Sequence, residues 1–164
     1  MSSGRDRQSD LADVDERPLP DPSPRVLAFE ALYEFDVARH PVRDVLARLA
    51  ADQGADAACA RSAGKLVEGV LADRREYDAT IARLAPAWPL AQMSAVDRNI
   101  LRLALFELRL AASTGQERAV INAAVELAKR YGGDSSPRFV RGVLGRAAGW
   151  RKPTETSGDP NLPG

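Results

Sequence analysis

Residues 95–110 read AVDRNILRLALFELRL, and wound as a helix they are apolar on nearly every side. At about 100° per residue, Arg98, Arg102 and Arg109 share one narrow stripe. Leucines, Ile100 and Phe106 occupy most of the remaining circumference. A helix with so little polar face must be enclosed by neighbours, so it belongs at the centre of a helical structure. Glu107 falls on the apolar side, where an unpaired carboxylate is costly. A cation from the arginine stripe, or from another helix, is therefore expected beside it.

The rest of the chain supplies the neighbours. Hydrophobic residues make up 45% of the sequence and aromatics only 5%, so the core is mainly Ala, Leu and Val. Alanine and leucine lose little freedom in a helix, and the fold class expected is all-α. Ser23-Pro24 predicts a capped start for RVLAFEALYEFDVA, which ends before His40-Pro41. VRDVLARLAA predicts a second helix stopping near Gly54, residues 56–72 a third and residues 75–85 a fourth. Pro86 and Pro89 break the chain around Trp88, which is expected to plug the gap between helical groups. Ser94 and Asp97 resemble a capping box for the central helix, with Asp in place of Glu or Gln. Residues 118–131 predict a sixth helix with a left-handed glycine stop at Gly132-Gly133, and Ser136-Pro137 starts a seventh. The polar, proline-bearing segments 1–22 and 151–164 carry too little apolar content to order themselves. One helical domain is thus expected over residues 23–150.

Several function classes are disfavoured. Cys59 is the single cysteine, which excludes an internal disulfide, and its surroundings offer no histidine or acid to activate it. His40 has no second ligand at metal spacing. GVLGR lacks the spacing and Lys-Ser/Thr of a phosphate loop. No cofactor is implied. No apolar run approaches the length of a membrane span, and the N-terminus is not signal-like, so a cytoplasmic protein is expected. The total charge is balanced, 23 basic against 23 acidic residues, but unevenly placed. Residues 1–23 carry three arginines and six acids, whereas residues 137–152 carry Arg138, Arg141, Arg146, Arg151 and Lys152 with no acid. Such a basic patch is the footprint of an anionic partner. From periodicity alone, Tyr33 and Phe139 fit core or surface equally, and the last-helix arginines fit a solvated face.

Three segments carry a family resemblance. VDRNILRLALFEL resembles the central helix of the NusB family of bacterial transcription antitermination factors, and VINAAVELAKRYGGDSSPRFVRGVLGRAA resembles its C-terminal helix pair. RVLAFEALYEFD resembles its first helix, through Ala28, Ala31, Leu32 and Tyr33. Together the match spans roughly residues 24–148. The resemblance implies a seven-helix fold of two small bundles around the central helix. It also implies a non-enzymatic factor that binds boxA-type single-stranded RNA together with the ribosomal protein NusE. That assembly joins an RNA polymerase antitermination complex, promoting processive transcription of ribosomal RNA operons. The RNA surface implied comprises Arg25, Tyr33, Ser135, Ser136, Arg138, Phe139 and Arg141, with Asp97 and Arg98 facing the protein partner. A homodimer through the RNA surface is a further expectation of the family.

The chain departs from the family pattern at informative places. The arginine cluster usual before the first helix is here DPSPR, leaving Arg25 alone. Arg141 stands where asparagine is usual, Ser135 where an acid is usual, and Ala123 where glutamate is usual. The first two changes make the last helix more positive. An alternative therefore stands beside RNA binding: a NusB-fold scaffold for proteins that has lost most RNA affinity. Some RNA cytosine methyltransferases carry a NusB-like part, but no catalytic-cysteine or Gly-rich methyltransferase segment follows here.

Overall fold

The protein is described by a computed structural model over residues 22–150. The expected unfolded segments 1–22 and 151–164 lie outside these residues, apart from Pro22. Seven α-helices form among the described residues: α1 (Pro24–Ala38), α2 (Val42–Asp52), α3 (Ala57–Ala72), α4 (Arg74–Leu84), α5 (Ala95–Ala111), α6 (Glu117–Tyr131) and α7 (Ser136–Trp150). A single 3₁₀ turn, Leu90–Gln92, interrupts the α4–α5 linker.

The helix ends follow local chemistry, with two corrections. At α1 the proline at the first position suffices: Ser23 is extended, but its hydroxyl makes no capping bond. At α5 the expected cap forms, Ser94 Oγ accepting from the Asp97 N–H at 3.1 Å. Asp97 is one methylene shorter than glutamate, and its covered Oδ1 accepts no hydrogen bond. Gly54 (φ 65°) closes α2 in a left-handed turn, with Gly54 N–H bonded to Ala51 O and Ala55 N–H to Ala50 O. Gly132, by contrast, is extended (φ −93°, ψ 177°), so the expected left-handed stop does not form there. The residue is small because α7 returns too close: a Cβ on it would lie 2.5 Å from Ser136 Oγ and 2.8 Å from Ala128 O.

Arg39 ends α1 with φ 60° and is the one non-glycine residue at positive φ among those described. Holding an L-residue there costs about 1–2 kcal/mol. Glycine avoids that cost but loses more freedom on folding. Arg39→Gly is accordingly expected to raise stability by about 0.5–1 kcal/mol, read as a melting-temperature gain of about 1–3 °C.

Helices α1, α2 and α3 form one bundle, and α4, α6 and α7 gather with α5 in another. Because α1 and α3 also pack on α5, the central helix is shared by both. Ile100, Leu101, Leu103, Ala104, Leu105 and Leu108 of α5 are buried, facing Leu27, Phe29 and Leu32 of α1, Val67 and Val70 of α3, and Leu144 of α7 within one core.

Two members of the α5 arginine stripe, Arg98 and Arg102, are internal, whereas Arg109 is exposed and pairs with Asp73 at 2.8 Å. Asp36 Oδ2 on α1 accepts from Arg98 Nε (2.9 Å) and Nη2 (2.7 Å), Asn99 Nδ2 (3.0 Å) and Arg102 Nη1 (3.3 Å). Arg102 also grips Asp78 of α4 through Nε at 2.7 Å and Nη2 at 3.0 Å. Burial alone would push the Asp36 carboxyl up. The hydrogen bonds from Arg98 and Asn99 and the arginine charges outweigh it and hold the group below its ordinary value. Glu107 finds its cation on another helix: Arg25 of α1 donates through Nε at 3.0 Å to both oxygens and through Nη2 at 2.7 Å.

Candidate nucleic-acid interface

The start of α7 presents the basic surface. Ser135 is exposed, and its carbonyl accepts the Phe139 N–H at 3.0 Å, which makes it the cap residue. Ser136, expected to face RNA, is only 5% exposed and packs its side chain against Gly132. Its part is to seat the helix rather than to offer a hydroxyl. Arg138 and Arg141 are exposed on one face of the helix, with half-buried Phe139 at its border. The first-turn N–H groups and the positive helix end point the same way, an arrangement suited to anions.

Arg141 also borders a groove of about 740 Å³ between α5, α6 and α7. Leu108 and Ile121 contribute its apolar lining, and Glu117, Arg118 and Asn122 join Arg141 in its polar part. Sequence reading missed Arg118 and Asn122, since only the packing of α6 against α7 brings them beside Arg141.

Trp88 corrects an expectation more sharply. It does not plug the gap between bundles; it is 55% exposed, and its ring centroid lies 6.4 Å from that of Phe139 at 49°. Helix α4 ends at Leu84 and the next helical turn starts at Leu90, so no amphipathic face turns the ring inward.

Tyr33 sits in a different electrostatic setting. It is 38% exposed, near Phe29 (6.3 Å between centroids), and lines a cavity of about 410 Å³ with Glu30, Glu34, Leu49, Val96 and Tyr131. Tyr131 donates its hydroxyl to Glu30 at 2.5 Å, and Gln53 donates to the other Glu30 oxygen at 2.6 Å. Burial, and then the Glu30 hydrogen bond, push the Tyr131 hydroxyl well above its ordinary value. Glu34 pairs with His40 and Arg48. The His40 hydrogen bond leads the contacts that draw the Glu34 carboxyl down, against a smaller burial penalty.

The remaining expected residues are held inside the protein's own contacts. Arg25 is 34% exposed in its side chain but spends its guanidinium on Glu107, itself 12% exposed. Arg98 is tied to Asp36 and donates to the Leu90 and Met93 carbonyls at 3.3 and 3.2 Å. Its guanidinium therefore anchors the α4–α5 linker rather than facing a partner, while Asp97 beside it is half-buried.

Cys59 donates to Pro22 O at 3.3 Å, and burial, followed by the Asp56 charge, pushes its thiol up, away from the reactive thiolate. Among the described residues, no cluster of three or more His, Cys, Asp or Glu side chains gathers to hold a metal. No described helix is long and apolar enough to cross a membrane.

Known proteins place this architecture. The transcription antitermination protein NusB of Herpetosiphon aurantiacus is 44% identical over 122 residues, covering 73% of this chain and 84% of that protein. The NusB protein of Chloroflexus aggregans is 43% identical over 122 residues, covering 74% and 81%. Among solved structures, T. maritima NusB superposes with a TM-score of 0.71 at 31% identity, covering 84% of this chain and 96% of that one. A NusB chain from a complex of NusB and NusE with double-stranded RNA superposes at 0.70 with 24% identity, covering 77% and 94%, a likeness of fold. Residues 22–149 match the NusB family itself, and the chain belongs to that family.

Proposed function

We propose that this protein is a transcription antitermination factor that binds boxA-type single-stranded RNA together with NusE. The pair joins RNA polymerase and promotes processive transcription of ribosomal RNA operons. The observation that carries this reading is the start of α7, where Arg138 and Arg141 are exposed beside half-buried Phe139 and no acid follows within the helix. Arginines neutralise phosphates, a ring accepts stacked bases, and the helix start adds N–H donors. The role is one of binding, in the cytoplasm, without catalysis. The antitermination relatives and the NusE-containing structural neighbour support it.

Within this reading the weight of RNA contact lies on Ser135, Arg138, Phe139 and Arg141. Tyr33 and Arg25 contribute less, because carboxylates already surround one and occupy the other. Asp97 is the better candidate for NusE contact, since it is partly exposed and Arg98 is committed internally.

Two variants test the assignment by fluorescence anisotropy with labelled boxA-type RNA. Phe139→Ala is expected to weaken binding about tenfold through lost stacking. Arg141→Ala is expected to reduce the slope of log affinity against log salt by about 0.7. Normal binding by both variants would remove the site from α7.

The engaged state of Arg25 favours a second reading, a protein-binding scaffold with little RNA affinity. Co-purification with NusE separates the two. A NusE complex that fails to bind RNA at low salt leaves only the scaffold.

A further inference from the structure

We propose that Trp88 and Phe139 together form a two-ring platform for unpaired bases, with Trp88 as the outer ring. The inference rests on the RNA-binding reading above and adds to it a residue from a different part of the chain. Trp88 is the largest side chain type, yet more than half of it meets solvent, at 55% exposed. The backbone fixes this exposure. Trp88 lies between Pro86 and Pro89, its N–H bonds to Ala85 O at 3.0 Å, and Met93 N–H returns to Pro89 O at 3.1 Å.

The rings approach at 6.4 Å and 49°, so they present tilted, adjoining faces rather than a closed stack. A base can rest on one while its neighbour meets the other, and base stacking on aromatic side chains is tolerant of sequence.

Charge identifies the occupant. Residues 79–96, which hold Trp88, contain no Asp or Glu, and neither do residues 135–154, which hold Phe139. Arg138 and Arg141 are exposed on the same helix as Phe139. Two rings carried on acid-free segments, with exposed cations on one of them, admit a polyanion that carries flat apolar faces, which describes single-stranded RNA. Tyr33 is the contrasting case: a ring 38% exposed, but beside Glu30 and Glu34. The strand is thereby drawn toward the α4–α5 linker rather than along α1.

The test uses the full chain carrying Trp150→Phe, so that Trp88 is its one tryptophan. It is titrated with a single-stranded boxA-type RNA of about 12 nucleotides, alone and with NusE. Stacking is expected to quench Trp88 emission. Trp88→Ala is expected to weaken RNA binding about tenfold while retaining NusE binding, and Trp88→Phe to recover most of the loss. Melting temperatures of both variants near that of the parent exclude unfolding as the cause.

If the parent binds RNA but its emission is unmoved and Trp88→Ala binds as tightly, the platform is overturned and the RNA reading stands. Loss of NusE binding with RNA binding intact also overturns it, making the ring part of a protein interface. If the parent binds no RNA with or without NusE, platform and reading fall together.

Discussion

Asp36→Ala is expected to cost about 3–5 kcal/mol of folding stability, because it strands a buried cluster of cations. One oxygen, Asp36 Oδ2, accepts from Arg98, Asn99 and Arg102, and the Asp36 side chain is only 10% exposed. Arg102 keeps Asp78, but Arg98 is left with backbone carbonyls alone. Urea unfolding is the appropriate measurement, with a lower midpoint at unchanged slope. Asp36→Asn should cost less, since it retains an acceptor without the charge.

The same residue has a pH signature. Its folded pKa lies below the ordinary value, so the unfolded chain takes up the proton first. The stability it contributes is full above the unfolded carboxyl value, about pH 4, and is lost as pH falls through the folded one. Removing Asp36 should therefore flatten the acid arm of the stability profile and leave its shape at neutral pH unchanged. An acid arm as steep in Asp36→Ala as in the parent would show that other carboxylates set it.

Gly69→Ala is the second large effect, and its sign is diagnostic. In an exposed helix interior the change would stabilise by about 1 kcal/mol. Here α3 crosses α5 over this residue, and a Cβ would lie 2.2, 2.4 and 2.7 Å from the Phe106 ring carbons Cζ, Cε2 and Cε1. Ring or helix must move, at a cost of about 2–3 kcal/mol. The double variant Gly69→Ala/Phe106→Ala isolates the clash: the loss from Gly69→Ala should largely vanish when the ring is absent. Stabilisation by Gly69→Ala alone would mean that the ring swings aside freely.

The fold was legible where sequence periodicity is unambiguous. The circumference of α5 required enclosure, and breakers at Gly54, Pro86, Pro89 and Gly132 divided the chain into the helices observed. Glu107 announced the need for a cation; only the α1–α5 packing could show that Arg25 meets it, 82 residues away. That pairing is also why the site was less legible. A family pattern records residue types, whereas Arg25, Arg98 and Ser136 are each withdrawn by a partner distant in sequence or by a close backbone approach. Trp88 escaped for the opposite reason. A tryptophan between prolines looks like a plug, and nothing local reveals that both flanking helices end before they can cover it.

The central position of α5 governs how the molecule comes apart. Since α1 and α3 rest on the same helix as α4, α6 and α7, neither bundle owns a complete core. The Asp36–Arg102–Asp78 chain, running from α1 through α5 to α4, crosses that boundary as well. The two bundles therefore form one cooperative unit, in which the backbone amides of α5 are released to solvent exchange only when the whole domain opens. The α4–α5 linker and the start of α7 lie at the edge of that unit, where small adjustments need not loosen the core.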